Sequence, residues 1–252
     1  MRTNSQRTKF RVDEENPYWI SFSDLMSALL VVFILAVVAL IIDLTQKSNQ
    51  LKETIQNAEN ARKNIVEDIE SELREKYNIF VMVSENNSVI RIPDTTLTFR
   101  PDSDRLPQNK MLRKNIEIIG RAIINAINKP FDASSNTNKK FRYEYLDTVF
   151  IEGHTDSDPS KKYKSNWVLS TYRAISLWEF WEKRVKKPLV KKTFNEMENS
   201  EGSKLFSVSG YADTRRVNEK ENSKKQKQEN RRIDIRFTIK RPKYKDVESI
   251  LK

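Results

Sequence analysis

A chain of 252 residues with no cysteine and one histidine, His154, excludes a disulfide framework, a thiolate metal site and a histidine metal cluster. Its formal net charge of +11 invites nucleic acid as a partner. The basic residues from Lys110 to Lys252 are scattered and interleaved with acids, however, so they read as a solvated basic face open to an acidic wall polymer or anionic lipid, with no nucleic-acid partner.

Residues 1–19 open the chain as a polar cytoplasmic tail without periodicity, closing on Pro17-Tyr18-Trp19. Ile20 to Ile42 follows, an apolar run whose one ionisable group is Asp24. At ~1.5 Å per residue it reaches roughly 35 Å as a helix, enough for a hydrocarbon core of about 30 Å. It is too long for a signal h-region and has no small-x-small cleavage site, so it reads as a retained anchor. A carboxylate inside such a helix costs about 2.5–3.5 kcal/mol and marks an ion or proton route. The competing reading starts the span at Leu25 and leaves Asp24 as a solvated N-cap. The aromatic pair Tyr18-Trp19, read as an interfacial belt, favours the first reading. Arg2, Arg7, Lys9 and Arg11 before the span, against Lys47 and Lys52 after it, lean toward a cytoplasmic N-terminus and an exported C-terminal part.

Residues 43–77 carry Leu51, Ile55, Ala58, Ile65, Ile69 and Leu73 at three- and four-residue steps, with neither Gly nor Pro. The spacing predicts a helical linker reaching ~50 Å from the membrane. Its apolar face fits either the seam of a parallel dimer stalk or a single solvated helix.

From residue 78 the pattern becomes that of one α/β domain running to 252. Phe80–Val83 and Val89–Ile92 around Ser84-Glu85-Asn86-Asn87-Ser88 predict a hairpin. Lys110–Ile127 predicts an amphipathic helix on Leu112, Ile116, Ile119, Ile123 and Ile127. A polar loop spans Lys129–Arg142, and a strand spans Asp147–Glu152. Ser165–Val185 predicts a helix whose aromatic stripe, Trp167, Tyr172, Trp178, Phe180 and Trp181, belongs to the core. Strand Leu205–Gly210, a basic loop Ala212–Glu229 and strand Ile233–Ile239 complete the domain. Strands alternating with helices imply an α/β sandwich, a mixed sheet with helices on one face.

No nucleophile elbow, phosphate-cradling glycine loop or second histidine is present, and there are four glycines in all, so enzymatic chemistry is not expected. A polar grouping instead gathers at element ends: Asp156 after a strand, Asn166 and Arg173 on the next helix, and Asn230-Arg231-Arg232 before the last strand. A carboxylate beside a guanidinium suits a zwitterionic amino-acid ligand. The same two residues could equally form a structural ion pair of Asp156 with Arg173, and the pattern alone leaves both open.

Ile151-Glu152-Gly153-His154-Thr155-Asp156, Asn166-Trp167-Val168-Leu169-Ser170-Thr171-Tyr172-Arg173-Ala174 and Asn230-Arg231-Arg232-Ile233, with Phe99, Leu106 and Leu112 ahead of them, resemble the OmpA-like peptidoglycan-binding domain. The resemblance implies that Asp156 takes the ammonium and Arg173 the carboxylate of the zwitterionic end of diaminopimelate in the peptide stem, with Asn166 and Arg232 in support. The chain departs from that pattern in a lengthened Asp156–Asn166 loop without its usual glycine, and in Ala212 where a glycine is common.

Pro17-Tyr18-Trp19-Ile20-Ser21-Phe22-Ser23-Asp24-Leu25-Met26-Ser27 looks like the opening of the MotB transmembrane helix, and the whole sequence resembles the ZorB family, MotB-like membrane subunits of Zorya anti-phage systems. That resemblance implies a homodimeric stator-type subunit in the bacterial inner membrane. A ring of a MotA-like, ZorA-like partner, five copies in related complexes, would surround its helices. Asp24 would carry H+ or Na+, with no other cofactor, and Asp156 and Arg173 would pin the dimer to peptidoglycan in the periplasm. A flagellar-type stator or a static wall anchor are the alternatives.

Overall fold

The computed structural model describes residues 17–97, 99–131, 140–187, 190 and 192–242. The polar tail up to Asn16, the centre of the loop around Ser134-Ser135-Asn136, Pro188 and the last ten residues lie outside the described part. The chain divides into two units near residue 51.

The first unit is the beginning of helix α1 (Pro17–Tyr77). A proline opens it, where its missing N–H costs nothing. Asp24 therefore sits two turns inside the helix, about 10 Å along its axis, and is not an N-cap. Among the described residues this is the one helix long and apolar enough to cross a membrane. Leu25, Leu29, Val32, Phe33, Leu35 and Val38 are all exposed, so its apolar surface runs round the whole helix and is not a single stripe.

The second unit begins with the rest of α1. Ala58, Ala61, Ile65, Val66, Ile69 and Leu73 are buried, and from Ile65 onward they belong to the domain's own apolar cluster. Ile65, Ile69 and Leu73 therefore pack inside the second unit, while Leu51 and Ile55 lie outside that cluster. Polar ties reinforce it, since Arg142 Nη1 and Lys129 Nζ donate to Asp68 Oδ2 at 2.6 and 2.8 Å.

Beyond α1 the order is β1 (Met82–Ser84), β2 (Val89–Pro93), α2 (Lys110–Ile127), β3 (Pro130–Phe131), β4 (Lys140–Phe141), β5 (Leu146–His154), α3 (Asn166–Arg184), β6 (Phe206–Gly210), α4 (Lys224–Asn230) and β7 (Arg232–Ile239). The β1–β2 turn places Glu85, Asn86 and Asn87 at positive φ. Asn109 caps α2 by accepting from Met111 N and Leu112 N at 2.8 and 3.2 Å. The expected polar loop Lys129–Arg142 contains the short antiparallel pair β3–β4, and the expected basic loop contains α4, capped by Ser223.

The main sheet runs β1-β2-β7-β5-β6, antiparallel except for the β5–β6 pair, so it is mixed as expected. Its two faces differ sharply. On one, Ile90, Ile235 and Ile151 lie opposite one another across three strands and join α1, α2 and α3 in the core. On the other, Arg91, Asp234 and Glu152 occupy the same rows and form a ladder of charges. α3 crosses the apolar face so closely that a Cβ on Gly153 would come within 2.0 Å of Ser170 O, and one on Gly210 within 2.2 Å of Thr171 Oγ1. Between α2 and α3, Trp181 Nε1 donates to Ile116 O at 2.7 Å while its ring packs over Gly120.

The aromatic stripe of α3 divides. Trp181 and Phe180 are buried and Trp178 is half-buried against them, but Trp167 and Tyr172 are exposed, which corrects the expectation that all five belong to the core.

Candidate functional site

β5 delivers Thr155 and Asp156 to the end of the sheet. Thr155 N donates to Ala212 O at 2.8 Å and Ala212 N to Ser170 Oγ at 3.1 Å, so the turns after β5 and β6 are laced to α3. Ala212 has φ +49, a left-handed conformation that costs an alanine about 1 kcal/mol and glycine nothing. That is the physical reason a glycine suits the position.

The long loop after Asp156 is held without a glycine of its own. Asp102 accepts from Lys161 N and Lys162 N at 3.0 and 2.7 Å and from Ser160 Oγ, and Asp104 accepts from Tyr163 Oη at 2.6 Å. Asn166, the first residue of α3, donates to Asp156 O and Asp158 O at 3.2 and 3.0 Å and accepts from Ser160 N at 3.0 Å. Its amide is committed to backbone. It braces the loop and leaves ligand contacts to others.

Asp156 is buried, with Oδ2 accepting from Arg231 Nη1 at 2.6 Å and Oδ1 from Asp158 N at 3.3 Å. Its ion-pair partner is Arg231 and not Arg173. Arg173, 2% exposed, donates from Nε to Ser103 O at 3.0 Å and from Nη2 to Arg100 O at 3.4 Å, and lies over the Phe99 ring at 5.1 Å. Nη1 has no hydrogen-bond partner among the described residues. Burial pulls the Arg173 pKa down, with the Asp94 and Asp156 carboxylates opposing it.

Asp94, just past β2, completes the cluster. Its carboxylate lies 3.8 Å from Arg231 Nη2, and burial raises its pKa against the pull of Arg231. Two carboxylates and two guanidinia thus share one desolvated corner, with charges that cancel.

The remaining expected site residue lies elsewhere. Arg232 donates from Nε to Asp234 Oδ2 at 3.0 Å and from Nη2 to Arg215 O at 2.8 Å, on the charged face of the sheet. Arg231 is the C-cap of α4 and pairs with Asp156, whereas Arg232 opens β7 and pairs with Asp234, so the two neighbours take different partners. Parity carries the missed signal: Ile233, Ile235 and Phe237 point into the core, which puts Arg232 with Asp234 and Arg236. Asp94 had no sequence motif to mark it.

The second expected site, Asp24, lies on the exposed surface of α1 in the first unit. Ser21, Ser23 and Ser27 stand within a turn of it on the same helix.

An apolar helix carrying a carboxylate is thus followed by a mixed-sheet domain with an Asp/Arg corner. No family model matches the chain. Among solved structures, the periplasmic domain of Helicobacter pylori MotB aligns with a TM-score of 0.48 at 18% identity, covering 68% of this chain and 90% of that one. The cell wall anchor of the T6SS from Pseudomonas aeruginosa aligns with a TM-score of 0.44 at 18% identity, covering 71% and 99%. In sequence the chain is similar to Zorya protein ZorB of Escherichia coli, 28% identical over 234 residues that cover 91% of this chain and 83% of that protein.

Proposed function

We propose that this chain is a stator-type subunit of an ion-driven inner-membrane motor of the Zorya anti-phage kind, pinned to peptidoglycan by Asp156 and Arg173. The similarity to ZorB along nearly the whole chain supports the class. The observation that carries the wall-binding half is Arg173, a buried guanidinium held by the Ser103 and Arg100 carbonyls inside a charge-balanced corner.

A corner holding two carboxylates and two guanidinia is complementary to a ligand that bears one ammonium and one carboxylate. The ligand ammonium goes to Asp156 and its carboxylate to Arg173, as the zwitterionic end of a diaminopimelate stem requires. Arg231 replaces Arg232 in the supporting role, because it already grips Asp156 and must share it with the incoming ammonium. Asn166 keeps the loop in place. The function is binding and ion coupling, not catalysis.

Asp24 carries the ion, H+ or Na+. A helix apolar on every side needs lipid or protein around it, and its carboxylate needs a neighbour that can offer polar groups. A MotA-like, ZorA-like ring of five around a homodimer provides both. The N-terminus is then cytoplasmic and the second unit periplasmic. Each charge crossing ~100 mV releases roughly 2.3 kcal/mol, so several crossings per cycle supply useful work.

The test is co-sedimentation of the detergent-solubilised full chain with purified peptidoglycan. Wild type pellets with the wall, while Asp156→Asn and Arg173→Gln, checked for folding by circular dichroism, stay in the supernatant. Undiminished pelleting of both folded variants refutes the assignment.

A further inference from the structure

We propose that the charged, helix-free face of the sheet carries a second site, an oxyanion pocket floored by His154 and walled by Arg91 and Arg215, that takes a phosphate-type group.

The pocket is open, about 410 Å³, and its lining includes Arg91, His154, Arg215, Arg216, Arg232 and Asp234. His154 is 1% exposed, and neither of its ring nitrogens has a hydrogen-bond partner. A buried polar group without a hydrogen bond is costly, and this one lines the pocket, its Nε2 3.5 Å from Asp234 Oδ2. Tyr211 holds it from the side, its ring stacked on the imidazole at 5.5 Å between centroids.

The charges decide what the pocket accepts. Asp234 is clamped by Arg91 through Nε and Nη2 at 3.1 and 3.2 Å, and by Arg232. Glu152 is clamped by Arg236 through Nε and Nη2 at 2.8 and 3.0 Å, and Glu85 also pairs with Arg236. Arg216 pairs with Asp213. Arg215 remains without a carboxylate among the described residues, its guanidinium lying 3.8 Å over the Tyr211 ring. One cation is therefore unneutralised beside an imidazole that makes no hydrogen bond and whose Nε2 lies 3.5 Å from Asp234 Oδ2.

Glu152, His154 and Asp234 bring potential metal-ligand atoms within 4.8 Å of one another. Guanidinia already occupy both carboxylates, so a metal ion would enter a positive environment with only the imidazole to offer. An anion meets the opposite situation. A phosphate-type oxyanion carries more charge and more acceptor oxygens than a carboxylate, and the pocket lines it with an imidazole and the guanidinia of Arg91 and Arg215. The pocket shares none of Asp94, Asp156, Arg173 and Arg231 with the wall-binding corner.

His154 is the chain's single histidine, so its ring gives one set of signals in a ¹H–¹³C NMR spectrum of the histidine-labelled full chain in micelles. Inorganic phosphate, added at constant ionic strength against chloride, should shift those signals saturably. Arg215→Ala replaces an exposed side chain and keeps the backbone carbonyl that Arg232 uses. It should weaken phosphate binding about tenfold, the loss expected for one charged hydrogen bond. Glycerophosphoglycerol serves as the diester arm. A response to it alone assigns the site to lipid-headgroup phosphate, and a response to inorganic phosphate alone assigns it to the free ion. Absence of a saturable shift with both, or an unchanged affinity in Arg215→Ala, overturns the proposal.

Discussion

Acid sensitivity of the second unit should trace to His154. Burial first, and then the Arg232 guanidinium, pushes its pKa down from 6.5 to about 3, with Arg91 and Arg215 adding to the shift and Asp234 opposing it. The folded-state value is depressed, so the unfolded chain takes up the proton first. The stability is fully present above pH 6.5 and is lost as pH falls toward 3. At pH 5 the loss is about 2 kcal/mol, taking ~1.36 kcal/mol for each pH unit below the unfolded pKa. Asp94, whose pKa is raised by burial, works the other way, and a comparison of wild type with His154→Gln cancels its contribution. The assay is urea unfolding of the full chain in detergent and phosphate-free buffer, followed by the fluorescence of buried Trp181. Between pH 7.5 and 5 the wild-type midpoint should fall by about 1 M, given a urea slope of ~2 kcal/mol/M. The His154→Gln midpoint should stay nearly level. An equal fall in both proteins would refute the argument.

Gly153→Ala should destabilise the second unit by about 3 kcal/mol or more in the same urea assay, because backbone of α3 blocks the new Cβ and neither side can yield easily. Ile69→Ala should cost about 2–5 kcal/mol if the end of α1 is core, whereas a solvated linker would register under about 0.5 kcal/mol. Arg231→Ala should weaken binding of a diaminopimelate-containing muropeptide in calorimetry about tenfold, while Arg232→Ala should leave that affinity unchanged and lower the unfolding midpoint by stripping a partner from Asp234.

The secondary structure was largely legible because periodicity reports burial on one side. Ile116, Ile119, Ile123 and Ile127 marked α2 with its observed limits, and the hydrophobic run of β7 gave its end and missed its first residue, Arg232. What the apolar residues are buried against was harder to read. Leu51 to Leu73 has a spacing that serves a second copy or the chain's own domain equally well, and only the tertiary structure assigns Ile65, Ile69 and Leu73 to the latter. At the site, the motifs singled out Asp156 and Arg173, which the structure brings into one corner with Asp94 and Arg231. Arg231 stood in the polar grouping beside Arg232, but spacing alone does not say which of two neighbouring arginines meets Asp156, and Asp94 went unnamed because a lone carboxylate after a strand carries no pattern. Trp167 and Tyr172 show the remaining limit, since composition marks an aromatic stripe but not where a helix turns away from its core.

The central claim is that Asp24 passes an ion while the second unit holds the wall. Phage protection measured in cells expressing the chain with its MotA-like partner, with Asp24→Asn against wild type at equal membrane abundance and equal peptidoglycan co-sedimentation, tests it most directly. Loss of protection with anchoring intact is the predicted result, and full protection by Asp24→Asn would contradict it.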